Sequence, residues 1–323
     1  MPETGPKSQD EPQELERTSG IMRITGVSPE IEERALEFWK QKFDQQELHE
    51  AEREKTPEEA RIIEAILARL PKFVSMYGGN PVPLKMENIH IVDLDNLSAE
   101  SRKIIGEKKG LYDLNSQSVA IFSDCNNDKL VDVFHNISHE LIHFSAFDSL
   151  MPYTTLEKDG SAKTGLIHRI RGFSIITTSG DKTEFYFKDL DEAVTEELTL
   201  RFIDKYFTSD SLLVQDDYFT KIMNMMGEKN TQPIRFDLGL TDAETYVMMT
   251  SAGSTYDRER TELWKLILNV KEKNSDKFES PEDIFNIFAK KYFTGNALAL
   301  ARLIEKIYGK DSFRKLGEKT KAK

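Results

Sequence analysis

The residues best suited to chemistry lie close together in one short segment, between Val131 and Phe147. The segment reads VDVFHNISHELIHFSAF and contains His139, Glu140 and His143, the pattern His-Glu-x-x-His. On a helix the two histidines lie one turn apart on one face, and both can reach a single Zn²⁺ ion at about 2.0–2.1 Å. Glu140 lies beside them, where a carboxylate can take a proton from water and pass it to a leaving amine. The pattern therefore predicts a zinc site with Glu140 as general base.

The apolar residues of the same segment favour a helix. At about 100° per residue they gather on one stripe, and the two histidines lie on roughly the opposite side. The stripe consists of Leu130, Val133, Phe134, Ile137, Leu141 and Phe144. The simpler alternative is a solvent-facing helix side that carries two histidines and no metal. His135 lies one turn before His139, and because the pattern has no place for it we interpret it as a structural or supporting residue.

A catalytic zinc site needs a third protein ligand and an open position for water. One extended pattern, HExxHxxGxxH, would place a glycine at position 146 and a histidine at position 149. The chain has Ala146 and Ser149 there. The metzincin pattern is therefore excluded, and the third ligand has to come from elsewhere in the chain.

The segment LDEAVTEELT, at 190–199, resembles the second motif of the gluzincin peptidases, the group that includes the thermolysin-like enzymes. That motif reads Asn-Glu-x-x-(Ser/Thr)-(Asp/Glu), and it follows the His-Glu-x-x-His helix on a second helix. The resemblance implies that Glu192 is the third zinc ligand and that Glu196 orients a zinc-binding histidine, His139. The sequence departs from the motif at Asp191, where Asn is common. The gap of 49 residues from His143 to Glu192 is similar to the longer gaps of minigluzincins and lethal-factor-like peptidases.

The spacing of the two glutamates supports this assignment independently. Glu192 and Glu196 are four residues apart, hence on one helix face, and a metal-binding histidine usually donates its second N–H to a carboxylate or a carbonyl. Other interpretations stay open. Glu192 could simply be an acidic residue in a first helical turn, and the third ligand could instead be Glu196, Glu197 or His168.

The resemblance also implies where a peptide substrate would bind. In zincin-type peptidases an edge strand just before the metal-binding helix often pairs with the substrate backbone, and strand addition requires a free edge. The matching strand here comprises Ser118, Val119, Ala120, Ile121 and Phe122. A donor to the developing oxyanion is also expected, with Tyr256, Tyr246 and His168 as candidates. A purely structural role is the alternative for each of these residues.

The predicted elements run helices, small sheet, helices, which is typical of an α+β fold, here zincin-like. We expect a disordered tail at 1–26, a helical segment at 27–79, the catalytic region at 80–207 and a C-terminal helical subdomain at 208–323. Strands are predicted at 88–92, 110–112, 118–122, 170–177 and 183–187, and helices at 127–147, 189–207, 211–227, 241–250, 257–272, 281–292 and 296–308. A helix that begins at the capping box Thr56–Glu59 is expected to end at Pro71 and the Gly78-Gly79 pair.

Composition narrows the class of protein. Hydrophobic residues make up 38% of the 323 residues and charged residues 31%, as in a soluble globular protein, and the net charge is −12. An acidic chain with no basic patch is a poor ligand for nucleic acid or an anionic membrane, so we expect neither as a partner. Cys125 is the only cysteine, which excludes an intrachain disulfide and a cysteine-rich zinc site. Without a signal-peptide pattern or an apolar membrane span, a cytoplasmic location is expected.

The sequence therefore predicts a zinc peptidase with one Zn²⁺ ion and a peptide or protein substrate. Two alternatives stay open. One is a peptidase-like metal-binding fold that binds a protein partner without turnover, and the other is a helical interaction protein without metal. Glu140 favours the enzyme, because a structural metal site does not need a base.

Overall fold

A computed structural model describes nine stretches of the chain, and they form a mixed α+β structure, mostly helical with small sheets. The described residues are 21–24, 51–81, 84–106, 109–113, 118–123, 130–156, 162–179, 182–207 and 256–318. Residues 21–24, inside the predicted tail, form a strand. The predicted helices at 211–227 and 241–250 lie outside the described residues.

The helices and strands are numbered here in chain order. The helices are α1 (Pro57–Met76), α2 (Ala99–Ile105), α3 (Leu130–Phe144), α4 (Lys188–Phe207), α5 (Asp257–Glu272), α6 (Pro281–Thr294), α7 (Leu298–Tyr308) and α8 (Ser312–Glu318). The strands are β1 (Ile21–Ile24), β2 (Glu52–Arg53), β3 (Ile89–Asp93), β4 (Gly110–Asp113), β5 (Ser118–Ser123), β6 (Asp148–Leu156), β7 (Ala162–Arg171), β8 (Ser174–Ser179) and β9 (Lys182–Tyr186).

Helix α1 begins at the predicted capping box and ends at Met76, just before the Gly78-Gly79 pair that was expected to end it. The Thr56 hydroxyl accepts from the Glu59 backbone N–H, and the Glu59 carboxylate accepts from the Thr56 N–H, so the predicted capping box is confirmed. Pro71 was expected to contribute to the end of the helix, and this is wrong, because the helix continues to Met76. Phe73 and Val74, in that last turn, are buried in the core, and their burial offsets the missing hydrogen bond at Pro71.

The smaller sheet has the strand order β2-β3-β5-β4. Strand β5 pairs in parallel with β3 on one side and antiparallel with β4 on the other. Its backbone groups are thus used on both sides, and the prediction that Ser118–Phe122 is the edge strand is wrong. Among the described strands, β4 is the sheet edge that packs on α3, because the hairpin places it outside β5.

The larger sheet has the order β1-β6-β7-β8-β9 and, apart from β1, fills the long gap between His143 and Glu192. Strands β6 to β9 are successively antiparallel, whereas β1 runs parallel to β6. The single strand predicted at 170–177 is interrupted at Gly172 and Phe173. Gly172 has a φ of +51°, a conformation that glycine adopts at little cost, and it allows the tight turn between β7 and β8.

The main core lies around α3 and α4, which pack on each other. The predicted apolar stripe of α3 is confirmed: five of its six members are buried, and Leu130 packs partly buried against the same cluster. Helix α1 packs on α3, while α5 and α6 pack on α4. No helix among the described residues is long and apolar enough to cross a membrane.

A buried ion pair joins α4 to α5. One carboxylate oxygen of Glu197 accepts from Arg260 Nη2 at 2.9 Å and from Trp264 Nε1 at 3.1 Å, and the other accepts from Arg201 Nε at 2.9 Å. Glu197 and Arg260 are both buried. A buried charge of this kind depends on its partner, because neither ion is stable alone in the interior.

Replacing Glu197→Ala is therefore expected to lower the free energy of unfolding by about 3–5 kcal/mol, because the buried Arg260 loses the carboxylate to which it donates a hydrogen bond. Urea unfolding followed by circular dichroism measures the change. The control is Glu262→Ala, which removes an exposed carboxylate paired with Lys265 at 3.3 Å and should change stability little. Equal effects of the two substitutions would contradict this role of Glu197.

Candidate metal centre

Helices α3 and α4 bring together three side chains that could hold a metal ion. Candidate ligand atoms of His139, His143 and Glu192 all lie within 4.8 Å of one another. Glu192 Oε2 is 3.1 Å from His143 Nε2 and 3.6 Å from His139 Nε2. Both histidines are buried, and Glu192 is half-buried. The prediction that these three side chains form a cluster at metal-binding distance is confirmed.

The second nitrogen of His139 is held by Glu196. His139 Nδ1 lies 2.9 Å from Glu196 Oε2, and Glu196 is fully buried. An ionised carboxylate only accepts hydrogen bonds, so Nδ1 carries a proton, and Nε2, which faces Glu192, is the nitrogen that could bind a metal. Glu196 therefore lies where the sequence predicts and selects the tautomer that can bind a metal.

His135 supports the same carboxylate from its other side. Its Nε2 lies 3.0 Å from Glu196 Oε1. Both oxygens of Glu196 thus have a nitrogen partner on α3, and a wholly buried carboxylate requires such partners. The supporting role of His135 depends on its position one turn before His139.

Hydroxyl groups hold His143. Its Nδ1 lies 3.3 Å from both Thr195 Oγ1 and Tyr292 Oη, which are themselves 2.7 Å apart. Thr195 donates its proton to the backbone carbonyl of Asp191 at 2.8 Å, and Tyr292 donates to Thr195. Neither hydroxyl proton remains for His143, so its Nδ1 is a donor, and its Nε2, which lies 3.1 Å from Glu192 Oε2, is the nitrogen that could bind a metal.

Asp191 fastens the start of α4 to the β7–β8 turn. Its Oδ1 accepts from the backbone N–H groups of Phe173 at 2.6 Å and Ser174 at 3.3 Å, and its Oδ2 lies 3.7 Å from His143 Nδ1. A methyl group at Gly172 would collide with Asp191 and Tyr292. Close approach of this turn to the carboxylate therefore requires glycine. Asn is common at this position of the motif, but its side chain has only one acceptor oxygen. The Asp191 carboxylate has two, so that one accepts from the β7–β8 turn and the other faces His143.

Charged groups within the site shift the pKa values of its histidine and glutamate side chains. Burial by itself lowers the pKa of His139, but the Glu192 and Glu196 carboxylates outweigh it and raise the pKa from 6.5 to about 10. Burial raises the pKa of Glu192 and Glu196, and the facing histidines reverse this and hold both pKa values well below 4.5. Without a metal, the site is thus a set of buried ion pairs in which His139 is protonated at neutral pH.

Two tyrosine rings cover the ligand histidines. Tyr256 stacks on His139 with ring centroids 5.2 Å apart and 1° between planes, and it hydrogen-bonds to Glu192. Tyr112 stacks on His143 at 5.5 Å and 15°. Of the predicted oxyanion donors, the structure places Tyr256 at the cluster. Tyr246 lies outside the described residues, and of His168 only the backbone, in β7, is described.

Glu140 faces the edge strand. A methyl group added at Gly110 of β4 would lie 2.5 Å from Glu140 Cγ and 2.7 Å from Oε1. The carboxylate side chain therefore occupies the space that a side chain at position 110 would need. This contact places the predicted base between the metal-binding helix and β4.

Sequence reasoning missed several residues of this site. Thr195 had a signal, since it occupies the Ser/Thr position of the motif that identified Glu192. Tyr292, Gly172 and Tyr112 had none, because they come from α6, from the β7–β8 turn and from β4, far from the motif in the chain. Glu197, one alternative ligand, is instead bound to Arg201, Arg260 and Trp264.

No protein-family model, curated protein or solved structure matches the chain. The described residues therefore define an α+β protein with a candidate metal triad on two packed helices. The donor set consists of two imidazole nitrogens and one carboxylate oxygen, a set that zinc accepts. Ligands of a tetrahedral zinc at about 2.0–2.1 Å lie roughly 3.3 Å from one another, and the two separations from Glu192 Oε2 lie on either side of that value.

Zinc binding is expected to release protons at neutral pH, because a ligand histidine must be neutral and the pKa of His139 is about 10 without metal. At pH 7.5 nearly one proton should leave His139. The number of protons released per zinc ion should fall, and the apparent affinity for zinc should stop rising, as the pH passes about 10. Calorimetric titration with Zn²⁺ in buffers of different ionisation enthalpy measures the release.

The variants His139→Ala and Glu192→Ala are matched to this measurement, and both should lose most of the zinc. The control Glu64→Ala removes an exposed carboxylate on α1 and should retain it. Zinc binding to the wild type without release of protons would contradict this description of the site. Undiminished zinc binding in the Glu192 variant would contradict it as well.

Proposed function

We propose that this protein is a zinc-dependent peptidase. The observation that carries the proposal is the convergence of His139 Nε2, His143 Nε2 and Glu192 Oε2, together with an adjacent carboxylate, Glu140, that faces a sheet edge. A site with three protein ligands leaves a position for water. A purely structural zinc site closes its fourth position with protein and does not need a base.

His139, His143 and Glu192 would hold the ion. Zinc in such a site supplies Lewis acidity, which makes water a nucleophile at neutral pH and polarises a carbonyl group. Glu196 and the hydroxyls of Thr195 and Tyr292 keep both imidazoles in the required tautomer. Their contribution is orientation, since none of the three takes part in the reaction.

Glu140 supplies the proton transfers in this proposal. Its carboxylate takes a proton from the attacking water and later delivers it to the leaving amine nitrogen. Tyr256 is the proposed oxyanion donor. Burial and the nearby Glu192 and Glu140 carboxylates raise its pKa far above 10, so its hydroxyl keeps the proton that it would donate.

The substrate is proposed to be an extended peptide that pairs with β4. This strand is one of the two edges of the smaller sheet among the described strands, and its Gly110 contacts Glu140. An added strand places its backbone alongside the edge through main-chain hydrogen bonds. Pairing at β4 would therefore bring a peptide bond to the general base.

Replacing Glu140→Gln is expected to abolish hydrolysis and preserve zinc. The amide keeps the size of the side chain but cannot accept the proton, and loss of a general base typically costs about 10²–10⁴-fold in rate. Cleavage of a random decapeptide mixture, followed by mass spectrometry on zinc-loaded protein, measures the effect. Glu64→Gln, at an exposed position of α1, is the matched control.

The same comparison separates the enzyme from a metal-binding protein without turnover. Cleavage by the zinc-loaded wild type that survives in the Glu140 variant would remove Glu140 from its proposed role. Absence of cleavage in the zinc-loaded wild type would favour the non-catalytic alternative.

Replacing Gly110→Ala is expected to lower kcat by about tenfold to a hundredfold at unchanged zinc content. The new methyl group must displace Glu140, and a shift of about 1 Å in a reacting group can cost about 10²-fold. The control Leu111→Ala alters the next residue of β4, whose side chain is exposed. A Gly110 variant as active as the Leu111 variant would show that this contact does not position the base.

A further inference from the structure

The side chain of Arg171 lies close to the candidate metal centre, with the Tyr112 ring between it and His143. Arg171, the last residue of β7, places its guanidinium carbon 3.9 Å from the centre of the Tyr112 ring. Tyr112 itself stacks on His143, with ring centroids 5.5 Å apart. The guanidinium thus lies no further from the His143 ring than the sum of these two distances. Three elements, β7, β4 and α3, contribute to this stack.

Arg171 and Tyr112 each have a buried polar atom that makes no hydrogen bond within the described part of the chain. The atoms are Arg171 Nε and Tyr112 Oη, for which the described residues supply no hydrogen-bond partner. Within the described part of the chain, Asp191 and Glu192 act on Arg171 through space and not by a hydrogen bond. Buried polar groups are normally paired, and a buried charge is costly without an acceptor.

Two other arginines that lie over aromatic rings have acceptors for their guanidinium groups. Arg201 lies 4.0 Å over the Phe285 ring and also binds the Glu197 and Glu282 carboxylates. Arg69 lies 5.0 Å over the Phe207 ring and donates to a backbone carbonyl on its own helix. Both of these guanidinium groups have an acceptor, whereas the buried Nε of Arg171 has none among the described residues.

We propose that Arg171 and Tyr112 form a subsite for a carboxylate group of the peptide substrate, close to the bond that is cut. The inference rests on the proposed function. A guanidinium offers several donors in a planar fork that matches a carboxylate, and the phenol hydroxyl adds another. One residue of extended chain spans about 3.3–3.6 Å, so a carboxylate one to three residues from the scissile bond can reach Arg171.

Direct binding to zinc-loaded protein tests the subsite without any turnover. The probes are the monohydroxamates of succinic, glutaric and adipic acid, each compared with an alkyl hydroxamate of equal length. The hydroxamate end chelates zinc, and the other end carries or lacks a carboxylate. Wild-type protein should bind the best carboxylate probe about tenfold or more tightly than its alkyl counterpart, as expected for a charge-assisted hydrogen bond.

Arg171→Met should remove this preference and leave the affinity for the alkyl probes unchanged. Arg171→Lys should retain part of it, because the charge stays and the fork is lost. Arg69→Met is the matched control, since it removes an arginine with a ring contact elsewhere. Tyr112→Phe keeps the ring on His143 and removes only the hydroxyl, so a fall of a few fold in the preference supports the subsite even where Arg171→Met fails to fold.

An equal preference in wild type and both Arg171 variants would overturn the proposal, as would no preference in wild type. Failure of the proposed function looks different. If the protein binds no zinc, neither probe of any pair binds. If it binds zinc and the probes but cuts no peptide, the subsite stands and the peptidase proposal fails.

Substrate pairs then identify the source of the carboxylate. Peptides with a free C-terminus are compared with their amides, and peptides with Glu at one position are compared with Gln. Loss of kcat/KM in the amides, only while Arg171 is present, assigns the subsite to a C-terminal carboxylate. The same loss in the Gln series assigns it to an acidic side chain, and no dependence of either pair on Arg171 contradicts the subsite.

Discussion

The buried carboxylate of Glu196 is the constraint on which the centre of this structure depends. It lies between α3 and α4 with no exposure to solvent, so each oxygen requires a donor, and His135 and His139 supply them. This requirement fixes the rotation of α4 against α3. Glu192, one turn before Glu196, is thereby directed at the Nε2 atoms of His139 and His143. A charge too costly to leave unpaired thus sets the geometry of the candidate metal triad.

The rest of the centre is built from elements that are distant in the chain. The β7–β8 turn binds Asp191, and Tyr292 of α6 holds His143 through the network with Thr195. Lys291 of α6 is buried and donates to the carbonyl of Gly172, which ties the same helix to the same turn. The long insertion between the two ligand segments and the C-terminal helices therefore form one supporting shell. Orientation of metal ligands by such outer partners is a general property of metal sites.

The success of each prediction from the sequence depended on how far apart in the chain the interacting residues lie. The His-Glu-x-x-His helix, its apolar stripe, the capping box at Thr56 and the cluster of His139, His143 and Glu192 all follow from spacings within one helix or from one motif, and they are confirmed. The prediction that Ser118–Phe122 is an edge strand was wrong, because the order of strands in a sheet depends on residues far apart in the chain. The expected contribution of Pro71 to the end of α1 was wrong for a related reason, since tertiary burial of Phe73 and Val74 outweighs the local preference of proline. The proposed chemistry of Glu140 remains a prediction.

The sequence by itself determined which groups are available and which of them share a helix face, because a regular helix converts spacing into position. Only the tertiary structure decided which hydroxyls hold His143, that β4 is a sheet edge beside Glu140, and that Arg171 lies over Tyr112 beside His143. Those relations join residues far apart in the chain, from α3, α4, α6 and the two sheets. The pairing of buried charges and the packing of side chains determine them, and both act across the folded chain and not along it.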